Sequence, residues 1–382
     1  MWSQCQWPSQ QPSRIRLRPP QKAGRTPNRE VPVSQRKSRQ PTLKSIAAAA
    51  GVHPSTASRA LNGRSDARIP EDTLARIRKV AADLGYEPNP WARSLRTQRT
   101  MMLGLVIPRL TDVVLAKMFE AAEEHARDEG YQTITVSTFD RKGGQQELIN
   151  RLIERRVDGL VLATSTLGDP SLARLEQEGF PFVLLNRASR SYPAVRGDDE
   201  LGAYLATRHL LETGHQRIGH IGGPQSTSTA KFRLQGYKRA LSESGIRYSP
   251  DLVRYGQFDA MSAMKGADEL LSQRPRPTAI FAINDVSALG TMAAGRRHRL
   301  RIPDDLAVVG YNDSDMAALL PIPLSSVQVP LQQMGQLAVD LLIDRINGGT
   351  VETVVLTPRV VVRDSSARVV RDSSARPARR RR

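Results

Sequence analysis

The chain has 382 residues, 39% of them hydrophobic, enough for two or three domains with sizeable cores. Its formal charge is +18, from 56 Lys and Arg against 38 Asp and Glu, which points to a polyanionic partner such as nucleic acid or an anionic membrane surface. The single cysteine, Cys5, excludes an intrachain disulfide and a cysteine-based metal site. No stretch reaches the roughly 18 uninterrupted apolar residues of a membrane span, and the amino terminus lacks an apolar signal core, so a cytoplasmic protein without cofactor or metal is expected.

Residues 1–40 hold nine basic side chains against Glu30 alone, with six Pro and seven Gln, and are expected to form a disordered basic extension. Residues 41–87 read as a helical head. Thr42 is placed to cap a first helix whose apolar face is Leu43, Ile46, Ala47 and Ala50, and Gly51 supplies the positive φ that ends it. A second helix opens at His53, with Pro54 at its first position, and runs to Leu61 before Asn62-Gly63. Ala57, Ala60 and Leu61 form its packing side, while Ser55, Thr56, Ser58 and Arg59 are polar. Such a small-residue helix fits a major groove about 12 Å wide, where an Arg can fork onto guanine. The same periodicity also fits a solvated helical hairpin. A third helix follows over residues 70–84, with acids in its first turn and Gly85 as its stop. In residues 88–100, Asn89 and Pro90 can start a short helix over 90–96, too short to be stable alone in water.

From residue 101 to 363 the net charge is zero, so this larger block is not a nucleic-acid surface. Apolar strands (Leu103 to Pro108, Tyr131 to Ser137, Val157 to Leu162, Phe182 to Leu185) alternate with helices over 114–129, 144–155, 171–178 and 200–213. The rhythm resumes at Ile218 to Ile221, Ala279 to Ala282 and Leu306 to Val309. Nearly continuous apolar strands with intervening helices predict α/β architecture, in two doubly wound parallel-sheet lobes. Ligands of such sheets sit beyond the carboxyl ends of the strands. There the chain carries Arg109, Asp112, Asn186-Arg187, Asp198-Asp199, Asn284-Asp285 and Asn312-Asp313, which suit a polyhydroxylated ligand, with Phe258 as an apolar wall. Asn and Asp are equally at home in strand-end turns. In residues 364–382, seven Arg meet two Asp, and Val361 to Arg368 is repeated letter for letter as Val369 to Arg376; this Arg-rich tail is expected to be disordered.

Thr42 to Ala47, Gly51 to Gly63, Gly85 to Asn89 and Ala92 to Leu95 together resemble the LacI/GalR family of bacterial transcription regulators, and the likeness continues in the family's order over residues 41–368. The resemblance implies an all-α helix-turn-helix head on a periplasmic-binding-protein-like body, with effector binding and dimerisation in the body. It implies a homodimeric repressor on a near-palindromic double-stranded DNA operator, controlled by a small-molecule effector, a sugar or related metabolite, in the cleft between lobes. Pro54, Ser55 and Arg59 match base-facing positions, and Leu95 of the hinge helix matches a minor-groove wedge. The candidate DNA-binding residues are therefore Thr42, Pro54, Ser55, Thr56, Ser58, Arg59, Asn62, Ala92, Leu95 and Arg96. Arg233, Asn284, Asp285 and Asn312 match effector-contacting positions and Phe258 an aromatic one; with Asp112 and Arg187 they form the candidate effector set.

Three departures matter. His53 stands where the family has a Ser cap and Ser45 where it has an acid, which predicts a head weaker by about 1 kcal/mol per lost cap. The loop from Asp112 to Leu115 lacks the family's Asn-Pro and aromatics, which argues against a simple sugar. Two other readings fit the body alone: a sugar-binding transport protein, and an enzyme using cleft carboxylates. The first needs a secretion signal and no helix-turn-helix; the second needs paired carboxylates, which nothing in the sequence places.

Overall fold

The computed structural model describes residues 41–61, 69–86, 99–141, 143–189 and 192–367. The chain divides into two compact units, one up to Pro88 and one from Asn89. The first contains three helices, α1 (Leu43–Ala49), α2 (Pro54–Leu61) and α3 (Glu71–Asp83). Ile46, Ala47, Ala50, Ala57, Ala60, Ile77 and Ala81 bury between them, and Gly51 and Gly85 take the positive φ that ends α1 and α3. A core built largely of alanine suits short helices that cross closely.

The second unit has two lobes, each around a six-stranded sheet. Lobe 1 orders its strands β11-β5-β4-β3-β1-β2, all parallel: β1 (Met102–Ile107), β2 (Gln132–Ser137), β3 (Gly159–Leu162), β4 (Phe182–Leu185), β5 (Ala194–Gly197) and β11 (Val354–Leu356). Helices α4 (Val113–Asp128), α5 (Gly144–Glu154) and α6 (Pro170–Gln177) connect these strands. Lobe 2 orders its strands β12-β10-β9-β8-β6-β7: β6 (Ile218–Gly222), β7 (Val253–Tyr255), β8 (Ala279–Ala282), β9 (Ala307–Asn312), β10 (Ser325–Gln328) and β12 (Arg359–Val361), with only β12 antiparallel. Its helices are α7 (Asp199–Glu212), α8 (Ser228–Glu243), α9 (Ala260–Leu271), α10 (Asp285–Arg297) and α11 (Asp315–Leu319). Helix α12 (Leu331–Ile346) returns to lobe 1, so the chain passes between lobes at residues 197–199, 328–331 and 356–359.

The strands that lie centrally in each sheet, such as β3, β4 and β8, are buried along their whole length, which is why they read as continuous apolar runs. The three-residue edge strands β7, β11 and β12 are only partly buried and give no such run. Helices α7 and α8 approach closely at Gly236, where a Cβ would lie 2.0 Å from the Glu200 carbonyl oxygen. Lobe 2 extends past the expected boundary at residue 363. Ser365 and Ser366 are buried, Ser365 N–H donates to Pro323 O (2.9 Å), and Val308 N–H donates to Ser365 O (2.9 Å). Residues 364–367, near the end of the first copy of the duplicated octapeptide, therefore belong to the body, because their hydroxyls and main chain complete the hydrogen bonding of β9 and β10. Among the described residues no helix is long and apolar enough to cross a membrane.

Candidate functional sites in the head and the interlobe cleft

Helix α2 buries Ala57 and Ala60 and leaves Ser55 and Arg59 exposed, with Pro54, Thr56 and Ser58 half-buried. Its amino terminus is closed by His53. The imidazole Nδ1 accepts from the Ser55 N–H (3.3 Å) and lies 2.7 Å from Ser55 Oγ, so His53 supplies the acceptor that a Ser would. Thr42 and Ser45 form a reciprocal capping box on α1: Ser45 N–H donates to Thr42 Oγ1 (3.2 Å) and Thr42 N–H to Ser45 Oγ (2.9 Å). Both caps are thus still made despite the two departures, because the His53 and Ser45 side chains each accept a backbone amide at the start of a helix. His53→Ala should cost the head about 1 kcal/mol and His53→Ser only a few tenths, read as hydrogen exchange of head amides in the full chain; equal exchange in His53→Ala and wild type would remove the cap. Asn62, Ala92, Leu95 and Arg96, with the helix expected over 90–96, lie outside the described residues.

The strand-end residues of both lobes meet across the cleft, where Leu167 N–H donates to Ser226 O and Ala188 N–H to Ser228 Oγ, both at 2.8 Å. From lobe 1 come Asp112, which caps α4 by accepting from the Val114 and Leu115 amides (3.0 and 3.2 Å), and Arg187, whose Nη1 donates to the Thr164 and Ser165 carbonyls (3.1 and 3.3 Å). Burial raises the Asp112 carboxyl above its ordinary value, against the pull of its two amide bonds. Burial also pulls the Arg187 guanidinium below its ordinary range.

Lobe 2 contributes Arg233, Phe258, Asn284, Asp285 and Asn312. Arg233 is 3% exposed; its Nε lies 2.8 Å from Asp199 Oδ1, its Nη1 donates to Ile283 O, and its guanidinium stacks 3.5 Å from the centre of Tyr311. Asp199 is equally buried, and burial pushes its carboxyl up while Arg233 opposes this. Phe258 faces Arg187 across the cleft at 5.9 Å, and Asn284 Nδ2 donates to its carbonyl (3.3 Å) while Asn284 Oδ1 caps α10. Asp285 is turned into lobe 2, where it accepts from the Ser314 amide (2.6 Å) and the Ser326 hydroxyl. Asn312 and Asp313 both hold positive φ, at 96° and 49°, a strained pair at the end of β9. They line a cavity of about 840 Å³ with Gln328, Arg359 and Arg363.

The turn reading holds at Asp112, Asp198 and Asn284, which cap helices at the carboxyl ends of the strands. Sequence reasoning missed Arg363, which bonds Asp313 Oδ1 at 2.7 Å and braces the strained pair, because it lies in the duplicated segment at the expected edge of the body. It also missed Ser165, Ser189 and Ser228, small polar residues without a distinguishing pattern. Among the described residues no group of three or more His, Cys, Asp or Glu is placed to hold a metal ion.

Residues 42–89 match the family model described as bacterial regulatory proteins, lacI family, and residues 207–366 match a periplasmic binding protein-like domain. The chain is 32% identical over 329 residues to the HTH-type transcriptional repressor PurR of Aliivibrio salmonicida, covering 85% of this chain and 98% of that protein. The chain belongs to the lacI family of bacterial regulatory proteins. Its function is that of a DNA-binding transcriptional repressor. Among solved structures, the Lac repressor dimer bound to operator and an anti-inducer superposes with a TM-score of 0.75 at 27% identity, over 85% of this chain and 98% of that one. The regulator CelR in complex with cellobiose gives 0.66 at 33% identity, over 85% and 99%. In this lacI-family chain the head is the part matched by the regulatory model, and the cleft lies in the unit that holds the binding-protein-like match.

Proposed function

We propose that the chain acts as a homodimer on a near-palindromic operator, and that a small-molecule effector in the cleft alters operator affinity by favouring one lobe geometry over another. The observation that carries this reading is a capped helix presenting Ser55 and Arg59 in the same chain as a two-lobed body whose strand ends converge on a polar cleft. Operator-bound Lac repressor and cellobiose-bound CelR give the two halves of the reading a precedent. Thr42, Pro54, Ser55, Thr56, Ser58 and Arg59 form the DNA-facing set, completed by Asn62, Ala92, Leu95 and Arg96. Asp112, Arg187, Arg233, Phe258, Asn284 and Asn312 form the effector set, with Asp285 supporting from behind.

We assign the cleft no catalytic role. The carboxylates near it are structurally engaged, since Asp112 caps α4, Asp199 pairs with Arg233, Asp285 holds Ser314 and Ser326, and Asp313 pairs with Arg363. None of these four is set as an acid or base toward a ligand. The test of the DNA half is Arg59→Ala, which should cost about 1–3 kcal/mol of specific operator binding and relax discrimination at one base pair per half-site. Unchanged preference in a competition against base-substituted operators would move the reading surface away from α2.

A further inference from the structure

The two cleft arginines are in different electrostatic situations. Arg233 is matched by Asp199 at 2.8 Å. Arg187 is buried, yet among the described residues no carboxylate lies within 4 Å of its guanidinium; carbonyl oxygens engage Nη1 alone. The acids whose charge reaches it, Asp140 and Asp112, are committed elsewhere, Asp140 to Arg109 and Asp112 to the α4 amides. A desolvated cation without a direct counter-ion is unfavourable and calls for an anion or an acceptor-rich group. Two further groups nearby lack partners: the Ser165 and Ser189 hydroxyls, each at most 2% exposed, have no hydrogen-bond partner. Ser165 is the residue whose carbonyl Arg187 holds, and Ser189 follows Arg187 by two positions. The Phe258 ring stands 5.9 Å from the Arg187 guanidinium.

We propose that the effector is an anionic polyol, a sugar acid or a sugar phosphate. Its carboxylate or phosphate pairs with the remaining N–H donors of Arg187 and accepts from Ser165 and Ser189, while an apolar face of its carbon chain lies on Phe258. A neutral sugar would leave Arg187 without a direct ion-pair partner. This deepens, and rests on, the effector role of the cleft proposed above.

The test is calorimetry on the full chain with gluconate, glucuronate, glucose 6-phosphate, inorganic phosphate, glucose and cellobiose. At least one sugar acid or sugar phosphate should bind about tenfold or more tightly than glucose, with the carboxylate and phosphate members separating the two sources of charge. Arg187→Gln should bring that ratio close to one, and Arg187→Lys should keep part of it. Three results overturn the assignment: neutral sugars binding as tightly as the anions, an anion preference that survives Arg187→Gln, or no anionic polyol binding. Tight binding of glucose or cellobiose would do so while leaving the cleft's effector role intact. Failure of every compound, in a preparation that still binds operator, would take the effector role down as well.

Discussion

Arg233→Ala should destabilise the body by about 3–5 kcal/mol and abolish the response to effector, the largest single-residue effect expected in this chain. The substitution strands the Asp199 carboxylate, 3% exposed on its side chain, without its ion-pair partner, leaving only the longer-range charge of Arg196, and removes both the Ile283 carbonyl's donor and the stack on Tyr311. A buried ion pair is weak evidence of net stability, because desolvating both charges offsets most of their attraction. Breaking one half is different, since the remaining charge keeps its desolvation cost. The double variant Arg233→Met with Asp199→Leu should therefore be more stable than Arg233→Ala, which urea unfolding of wild type and the two variants would show. A single-variant cost below about 1 kcal/mol would mean the pair is solvated and the lobe-2 wall is not rigid.

Lowering the pH from 6.5 to 4 should remove about 3 kcal/mol of stability through His220. This ring is fully buried between Tyr237 and Phe281, with centroids at 5.3 and 5.0 Å; its Nδ1–H donates to Phe281 O, and its Nε2 has no partner. Burial lowers its value from 6.5 to about 4. The folded chain thus binds fewer protons than the unfolded chain between those values, so stability falls as acid is added and the loss is complete below about pH 4. His220→Asn, which keeps a donor toward Phe281, should give a flatter dependence over that window by the same amount. Parallel loss of stability in wild type and variant would show that His220 does not drive it.

Much of this was legible because burial writes itself into sequence. The central strands are apolar at nearly every position, since both sheet faces are covered, and Thr42, Gly51, Pro54 and Gly85 punctuate the head as local capping rules require. What was not legible depends on distant partners. Nothing about Asp199 and Arg233 in sequence says that they pair 34 residues apart, or that Arg363 reaches back 50 residues to Asp313. The caps at His53 and Ser45 depart from expectation because preference tables rank residue types, whereas an orphan amide needs only an acceptor within reach. The duplicated octapeptide misleads for a similar reason: repetition marks its origin, and only the structure shows that Ser365 and Ser366 of the first copy are buried.

Charge pointed to nucleic acid from the start, but the described head accounts for little of the +18, and the neutral body carries the cleft. One chain thus reads a specific DNA sequence and, on the proposal above, alters that reading when a small molecule fills the cleft. Selection of DNA bound by the full chain from random double-stranded oligonucleotides tests this most directly, repeated with the tightest-binding compound from the ligand panel. The expected result is enrichment of one near-palindromic sequence, with an affinity that the compound changes in wild type but not in Arg233→Ala. Retention of random sequence, or an enriched operator whose affinity no cleft ligand alters, would contradict it.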